Sequence, residues 1–152
     1  MKRIDVFLAD YGAYHRTRGN IACHAAGITL ILFGIFSMLG AIRLGALGPV
    51  APLTASEVLI AAAFLFDLTL DVPLALVMLA ESVALDLLAR AVAEWPVGLA
   101  AFVVGWIFQG IGHAVYEKNK PAFFRNLVHL FVGPIFLLNE LLKLRSVAVP
   151  VK

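Results

Sequence analysis

Charged residues are scarce in this chain of 152 residues. They make up 14% of the sequence, whereas apolar residues make up 62%, and the mean hydropathy is +0.94. An average soluble domain has about 25% charged and about 45–50% apolar residues. The composition therefore excludes an ordinary soluble enzyme and predicts an integral membrane protein. The length allows one membrane-embedded domain with four or five helices of about 20 residues each.

Cysteine is almost absent, and the net charge is small. The single cysteine, Cys23, excludes an internal disulfide and a metal site built from several thiolates. A formal net charge of +2 is too low to predict a nucleic-acid partner. No short apolar stretch leads to a small-residue cleavage site, so we expect the first spanning helix to act as the insertion signal. Membrane lipid is thus an expected partner, and the sequence leaves the oligomeric state open.

The distribution of apolar residues predicts an all-α, polytopic membrane protein with four to five membrane helices and an N-terminal interfacial helix. Ile4, Leu8 and Tyr11 recur at helical spacing and give the first helix one apolar face. Gly19 is expected to break that helix, and Asn20 is expected to cap the next one. The predicted segments are an interfacial helix over 4–18, spans over 21–42, 55–70, 73–92 and 97–116, and a bent or re-entrant last helix over 121–144.

Polar residues mark the connections and one ion pair. Residues 43–53 are rich in glycine and proline, which predicts a loop. Thr54 and Glu57 have the spacing of a capping box at the start of the second span. Asp86 and Arg90 have the spacing of an ion pair within the third span.

The basic residues predict that the N-terminus faces the cytoplasm. In this orientation seven lysines and arginines lie inside and two lie outside, as the positive-inside rule favours. The inside residues are Lys2, Arg3, Arg16, Arg18, Lys118, Lys120 and Arg125, and the outside residues are Arg43 and Arg90. The expected location is a bacterial inner membrane or the endoplasmic reticulum.

The four histidines, His15, His24, His113 and His129, each lie at or near an end of an apolar run. Ionisable side chains at membrane depth are costly and usually mark function, and imidazole is the commonest metal ligand. The predicted topology brings all four to one depth near the cytoplasmic face. His15 and His24 are about half a turn out of phase on a continuous helix, so the chain has to bend between them. We therefore predict a metal site facing the cytoplasm, with these four histidines as candidate ligands.

Two segments offer hydrogen-bonding side chains beside these histidines. Asn20 precedes His24 by four residues, and Gln109 precedes His113 by four, so each pair shares one helix face. Asn20 and Gln109 are therefore the residues predicted to orient the metal-bound imidazoles. Imidazoles with Glu117 nearby suit Fe(II), Zn(II) or Mn(II), and open positions on iron would admit O2 and a chelating substrate.

Simpler interpretations stay open for each of these residues. A single histidine near a helix end is more often a capping or interfacial residue than a ligand, and His129 can also hydrogen-bond between helices. Glu117 is either a ligand or a solvated acid beside Lys118. Arg16 and Arg18 lie where the carboxylate of a lipid acid would arrive, although positive-inside anchors are equally expected there.

Three groups of residues at the two ends of the chain form a specific combination. They are Tyr11-Gly-Ala-Tyr-His15 with Asn20, His24 and Gly27; Gln109-Gly-Ile-Gly-His113 with Glu117-Lys118 and Pro121-Ala122; and Val132-Gly-Pro134-Ile-Phe136 with Glu140. This combination resembles the small membrane family of the fungal 2-hydroxy fatty acid dioxygenase. The resemblance covers about 15–27 and 106–140, and the middle of the chain is similar only as generic membrane helix.

The resemblance implies an Fe(II)-dependent dioxygenase of lipid α-oxidation. Such an enzyme joins O2 to a lipid-derived 2-hydroxy acid and yields a fatty acid one carbon shorter. The family's histidines carry over to His15, His24 and His113, while Glu117 and Lys118 are the predicted catalytic residues. Arg16 and Arg18 are then the predicted substrate-binding residues.

A second class of protein is also compatible with the sequence. A small membrane transporter or scaffold could use its histidines to bind or relay metal ions or protons. Such a protein would show flux without chemical change of a substrate. A zinc-dependent membrane hydrolase is a third interpretation, and its activity would not need O2.

Overall fold

The computed structural model describes residues 3–46, 52–119, 121 and 127–146, and these are mainly helical. The elements are α1 (Arg3–Gly12), α2 (Arg18–Gly40), β1 (Arg43–Ala46), β2 (Pro52–Thr54), α3 (Ala55–Leu68), α4 (Val72–Val92), α5 (Trp95–Ile111), its π-helical continuation (Gly112–Glu117) and α6 (His129–Leu142). The predicted helical architecture is confirmed, apart from two short strands.

Three helices among the described residues are long and apolar enough to cross a membrane, namely Arg18–Gly40, Val72–Val92 and Trp95–Glu117. This supports a membrane protein but does not reach the predicted four to five spans. The 14 residues of α3 extend only about 21 Å, which is less than a hydrocarbon core of about 30 Å. Within the predicted last helix, residues 122–126 lie outside the described residues, and α6 begins at His129.

A link of five residues separates α1 from α2 and replaces the continuous helix predicted over 4–18. The predictions that Gly19 breaks the helix and that Asn20 caps α2 are wrong. Thr17 is the cap, because its hydroxyl oxygen accepts a hydrogen bond from the backbone N–H of Asn20 at 3.3 Å. Gly19 lies inside the first turn against the ring of Tyr116, where a Cβ would have no space.

The loop predicted over 43–53 contains a short antiparallel hairpin, in which Arg43 pairs with Thr54. Residues 47–51 of this loop lie outside the described residues. The predicted capping box is confirmed, because a carboxylate oxygen of Glu57 accepts a hydrogen bond from the backbone N–H of Thr54 at 2.6 Å. The hairpin thus leads directly into α3.

The ion pair predicted within α4 is confirmed and extends to a neighbouring helix. Arg90 Nε donates to Asp86 Oδ2 at 2.8 Å. The same guanidinium lies 2.6 Å from a carboxylate oxygen of Glu57. Arg90 therefore joins α4 to the start of α3.

Glycines allow α2 and α5 to pack backbone against backbone. A Cβ on Gly34 would lie 2.5 Å from the carbonyl oxygen of Gly98, and a Cβ on Gly105 would lie 2.7 Å from that of Gly27. Close approach through small residues is typical of membrane helices. Because α2 and α5 are antiparallel, the beginning of α2 lies beside the end of α5.

The apolar face of α1 packs on protein. Ile4, Leu8 and Tyr11 are buried, with 0%, 1% and 6% of their surface exposed. Their cluster also contains Leu70, Leu74, Met78, Val132, Ile135, Phe136 and Leu138. The face that predicts an interfacial helix is therefore covered by protein, mainly by α6, and this packing positions the link that follows α1.

Candidate metal centre

Three of the four histidines converge at one end of the helices. His15 lies in the link between α1 and α2, His24 lies near the start of α2, and His113 lies in the π-helical segment. All three are buried, and one ligand atom from each lies within 4.8 Å of the others. His15 and His24 would point to different sides of one continuous helix, and the bend between α1 and α2 brings them to the same site.

Hydrogen bonds fix the orientation of all three imidazole rings. His15 Nδ1 donates to the carbonyl oxygen of Tyr11 at 2.8 Å, and His24 Nδ1 donates to that of Asn20 at 3.0 Å. His113 Nδ1 donates to Asn119 Oδ1 at 3.0 Å. A carbonyl oxygen only accepts, so each Nδ1 carries the proton, and Nε2 of the neutral ring is left as a lone-pair donor.

The Nε2 atoms of His15 and His24 are 3.0 Å apart. Two unprotonated nitrogens at that distance repel each other unless a cation or a proton lies between them. Two imidazole nitrogens that bind one metal ion, each at about 2.0–2.1 Å, are separated by about 3 Å. The Nε2 atoms of His15 and His24 thus have the spacing of two ligands of one divalent cation, and the third imidazole, His113, has a ligand atom within 4.8 Å of them.

Burial keeps His15 neutral and ready to bind a cation. It lowers the pKa of His15 from 6.5 to about 3, and the neighbouring His24 imidazole contributes to the decrease. The ring of Tyr11 stacks on His15 with centroids 4.0 Å apart. Burial also raises the pKa of Tyr11 above its ordinary value, so its hydroxyl stays protonated.

The π-helical segment brings His113 to the other two histidines. The backbone N–H groups of Lys118 and Asn119 both bond to the carbonyl oxygen of His113. Lys118 adopts a left-handed conformation with φ of 54°, which turns the chain back so that the Asn119 side chain reaches the imidazole. Such π-helical insertions are frequent at functional sites.

His129 does not join the three-histidine group, although it lines the same cavity. Its Nε2 lies 2.9 Å from Asp10 Oδ2, and among the described residues neither ring nitrogen has a hydrogen bond. The ring packs edge-on against Tyr11, with centroids 5.7 Å apart. A ligand role for His129 therefore stays a prediction.

Asn20 and Gln109, the residues predicted to orient the metal-bound imidazoles, make other contacts than those predicted. Asn20 orients His24 through its backbone carbonyl oxygen and not through its amide side chain. Gln109 does not bond to His113, because the change to π-helical geometry after α5 directs that imidazole to Asn119. The Gln109 side chain instead lines the cavity, and its buried Nε2 has no hydrogen-bond partner among the described residues.

Glu117 fastens the link that carries His15. Its Oε1 accepts hydrogen bonds from the backbone N–H groups of Arg16 at 2.5 Å and Thr17 at 2.7 Å. Glu117 is not part of the three-histidine group, so these contacts make it a positioning residue. A direct catalytic role for Glu117 and for the exposed Lys118 stays a prediction.

The two arginines predicted to bind substrate lie outside the cavity. Arg16 and Arg18 are exposed, and neither is among the residues that line it. Their predicted contact with a carboxylate stays untested.

A cavity of about 380 Å³ begins at the histidines and continues between α2, α3, α4, α5 and α6. Its polar lining beyond the three histidines consists of Tyr11, Asp67, Ser82, Gln109 and His129, and most of the remaining lining is aliphatic or aromatic. The three lone-pair nitrogens thus face a space suited to a molecule with one polar end and one apolar end.

Sequence reasoning missed Asn119 and gave Gly112, which belongs to the quoted motif before His113, no structural role. Asn119 has no helical spacing relation to His113, since the contact depends on the left-handed turn at Lys118. Gly112 leaves room for Asn20 and His24. Its place directly before His113 was a usable signal for close approach.

The fold and the site define a helical, membrane-associated protein with a buried three-imidazole cluster above an apolar cavity. The chain belongs to the family described as 2-hydroxy-palmitic acid dioxygenase Mpo1-like, whose family model matches residues 1–145. It is 32% identical over 142 residues to the 2-hydroxy-palmitic acid dioxygenase MPO1 of Saccharomyces cerevisiae, covering 89% of this chain and 77% of the yeast protein. No solved structure matches the chain. The resemblance predicted from the sequence motifs is confirmed.

Proposed function

We propose that this protein is an Fe(II)-dependent dioxygenase that converts a 2-hydroxy fatty acid and O2 into a fatty acid one carbon shorter. The observation that carries the proposal is the convergence of His15, His24 and His113 at the end of an apolar cavity. Membership of the family and the name of the yeast relative support the substrate class and the dioxygenase activity.

The proposed reaction balances without a further reductant. Cleavage of the bond between C1 and C2 releases C1 as carbon dioxide, and C2 becomes the new carboxyl carbon. The electrons released in this oxidation reduce O2, whose atoms end in the products and in one molecule of water. The site therefore needs no docking surface for an electron donor.

The donor set fits Fe(II). Three neutral imidazoles without a thiolate suit this ion, and the hydrogen bonds at each Nδ1 keep the three Nε2 atoms available. When bound, Fe(II) would supply open coordination positions for O2 and for the hydroxyl and carboxylate of the substrate. Zn(II) fits the same nitrogens but has no redox chemistry.

The protein's own residues orient the substrate and exclude water. Gln109 lies one helical turn from His113 and offers a buried amide N–H that has no hydrogen-bond partner among the described residues. We assign the Gln109 amide to the carboxylate or hydroxyl of the substrate, because the side chain lines the cavity beside the cluster and an unpaired buried donor is costly until it finds an acceptor. Its Nε2 packs against Gly27 of α2, so this contact requires the side chain to rotate when the substrate binds. Trp106 and Phe102 continue the cavity wall below Gln109 and keep that part dry. In the proposed orientation the cluster faces the cytoplasm.

Metal analysis beside turnover tests this proposal. The purified protein is expected to hold about one iron per chain, with turnover that requires both Fe(II) and O2. His15→Ala, His24→Ala and His113→Ala should each lose iron and activity. The iron content of His129→Ala shows whether a fourth histidine contributes to metal binding. Mass spectrometry should detect the shortened acid. Full iron retention in all four variants, activity without O2, or flux of an unchanged substrate would reject the assignment.

A further inference from the structure

We propose that the cavity is a channel for one acyl chain with one blocked end, and that Phe36 and Ile60 set the longest chain it accepts. This inference rests on the proposed function, which places the substrate's polar end at the three histidines. It adds a position for the acyl chain of the substrate, and it names the two residues that limit the length of that chain.

One face of α2 lines the channel from top to bottom. His24 lies at the cluster, and Ile28, Leu32 and Phe36 follow at intervals of four residues. Residues separated by four lie on one side of a helix, so these side chains form a continuous wall. The twelve residues from His24 to Phe36 span about 18 Å at a rise of about 1.5 Å per residue.

A face of α5 gives an independent measure of the same depth. His113, Gln109, Trp106 and Phe102 all line the channel, in that order away from the cluster. The eleven residues from His113 to Phe102 span about 17 Å. The lining changes from imidazole to amide and then to aromatic side chains, which matches a molecule with its polar group at the histidines.

Packed side chains close the lower end. Phe36, Ile60 and Ala89 have 3%, 8% and 1% of their surface exposed and belong to one buried cluster. Phe36 and Ile60 also line the channel, whereas Ala89 does not. These two side chains, contributed by α2 and α3, are therefore the floor that the end of a chain would meet.

The depth matches a long-chain fatty acid. One leaflet occupies half of a hydrocarbon core of about 30 Å, so an extended lipid acyl chain measures about 15 Å. A chain of that length, with its carboxyl end at the three histidines, reaches close to Phe36 and Ile60. Shorter acids leave part of the apolar lining uncovered, and longer ones collide with the floor.

Substrate profiles of channel variants test the proposal. We would compare kcat/KM for 2-hydroxy fatty acids from medium to very long chain length in the wild type, Ile60→Ala and Ala63→Phe. Ala63 lines the channel above Ile60 on α3, so the bulky Phe should lower kcat/KM for long chains by about tenfold and spare medium chains. Ile60→Ala should deepen the channel and raise kcat/KM for chains beyond the wild-type limit by about tenfold.

Ile135→Ala is the matched control, because Ile135 is 1% exposed and does not line the channel. It should reduce stability without altering the chain-length profile. Displacement of a fluorescent fatty acid by saturated fatty acids, in a detergent without a linear alkyl chain, measures channel binding independently of turnover. Length-dependent displacement that shifts in the variants, but without any oxidation, would uphold the channel while rejecting the proposed function. Turnover with identical profiles in all variants would reject the channel alone.

Discussion

Gly112 lies directly against Asn20 and His24 where α5 passes into its π-helical continuation. A Cβ at this position would overlap Asn20 Oδ1 and lie 3.1 Å from His24 Nδ1. That nitrogen is the one that donates to the carbonyl oxygen of Asn20. The missing side chain thus allows His24 and His113 to reach a common site.

We expect Gly112→Ala to weaken Fe(II) binding by about 10–100-fold, the usual effect of disturbing groups that orient metal ligands. Gly110→Ala is the control in the same segment, because a Cβ there meets no atom within 4 Å. Iron titration of the two purified variants gives the comparison. Equal affinities for the two variants would show that the close approach at Gly112 is unimportant.

Asn119 supplies the acceptor that orients His113, at 3.0 Å. Its replacement by Ala should lower metal affinity by about tenfold or more, since the imidazole loses its preferred tautomer and orientation. Asn119→Asp keeps an acceptor oxygen and should retain affinity close to that of the wild type. Metal content after dialysis against a graded chelator series distinguishes the variants, and equal loss in both would argue against an acceptor role.

Arg145 joins Asp5 in α1 to Asp71, the residue that caps the start of α4. Its guanidinium lies 2.7 Å from Asp5 Oδ1 and 2.7 Å from Asp71 Oδ2, and the Asp71 side chain is 2% exposed. Arg145→Met should cost about 3 kcal/mol of unfolding free energy, because a buried carboxylate loses its counter-charge. Lys143→Met removes a surface pair whose lysine is 72% exposed, and its cost should be below about 0.5 kcal/mol. Unfolding in detergent measures both, and similar costs would contradict the prediction.

Acid should destabilise the metal-free protein through His15. Its pKa falls to about 3 in the folded chain because of burial, and then because of the His24 imidazole. The unfolded chain therefore binds a proton below pH of about 6.5 that the folded chain does not, so stability falls as pH drops from about 6.5 toward 3, by up to about 1.4 kcal/mol per pH unit.

His15→Gln isolates this contribution from that of the other imidazoles, because an amide does not titrate in this range. The variant should show a shallower loss of stability on acidification than the wild type. Unfolding of both proteins in the presence of a chelator, from neutral pH to pH about 4, provides the slopes. Parallel slopes would mean that His15 is not the group responsible.

Periodicity and charge predicted the parts of the fold that depend on local sequence. The capping box of Thr54 and Glu57 and the pair of Asp86 with Arg90 were predictable because each needs only neighbours on one helix. The start of α2 was not, because two residues, Thr17 and Asn20, have suitable capping side chains, and tertiary contacts of Gly19 with Tyr116 decide between them.

The clustering of three of the four predicted histidines could be predicted from the sequence, but the contacts that support them could not. The convergence of His15, His24 and His113 followed from topology alone. The contact from Asn119 depends on a π-helical turn with a left-handed residue, which side-chain spacing does not encode. The sequence also did not predict that Gln109 lines the cavity, because this depends on which side of α5 faces the cavity.

The three clustered imidazoles come from positions that are synthesised at very different times. His15 and His24 leave the ribosome early, whereas His113 follows only after α3, α4 and α5 have been made. A nascent chain therefore has no complete nitrogen trio until its third long apolar helix is inserted and docked on α2. Because a complete ligand set rarely exists before folding, the proposed metal would bind late in biogenesis, and its binding would stabilise the assembled bundle.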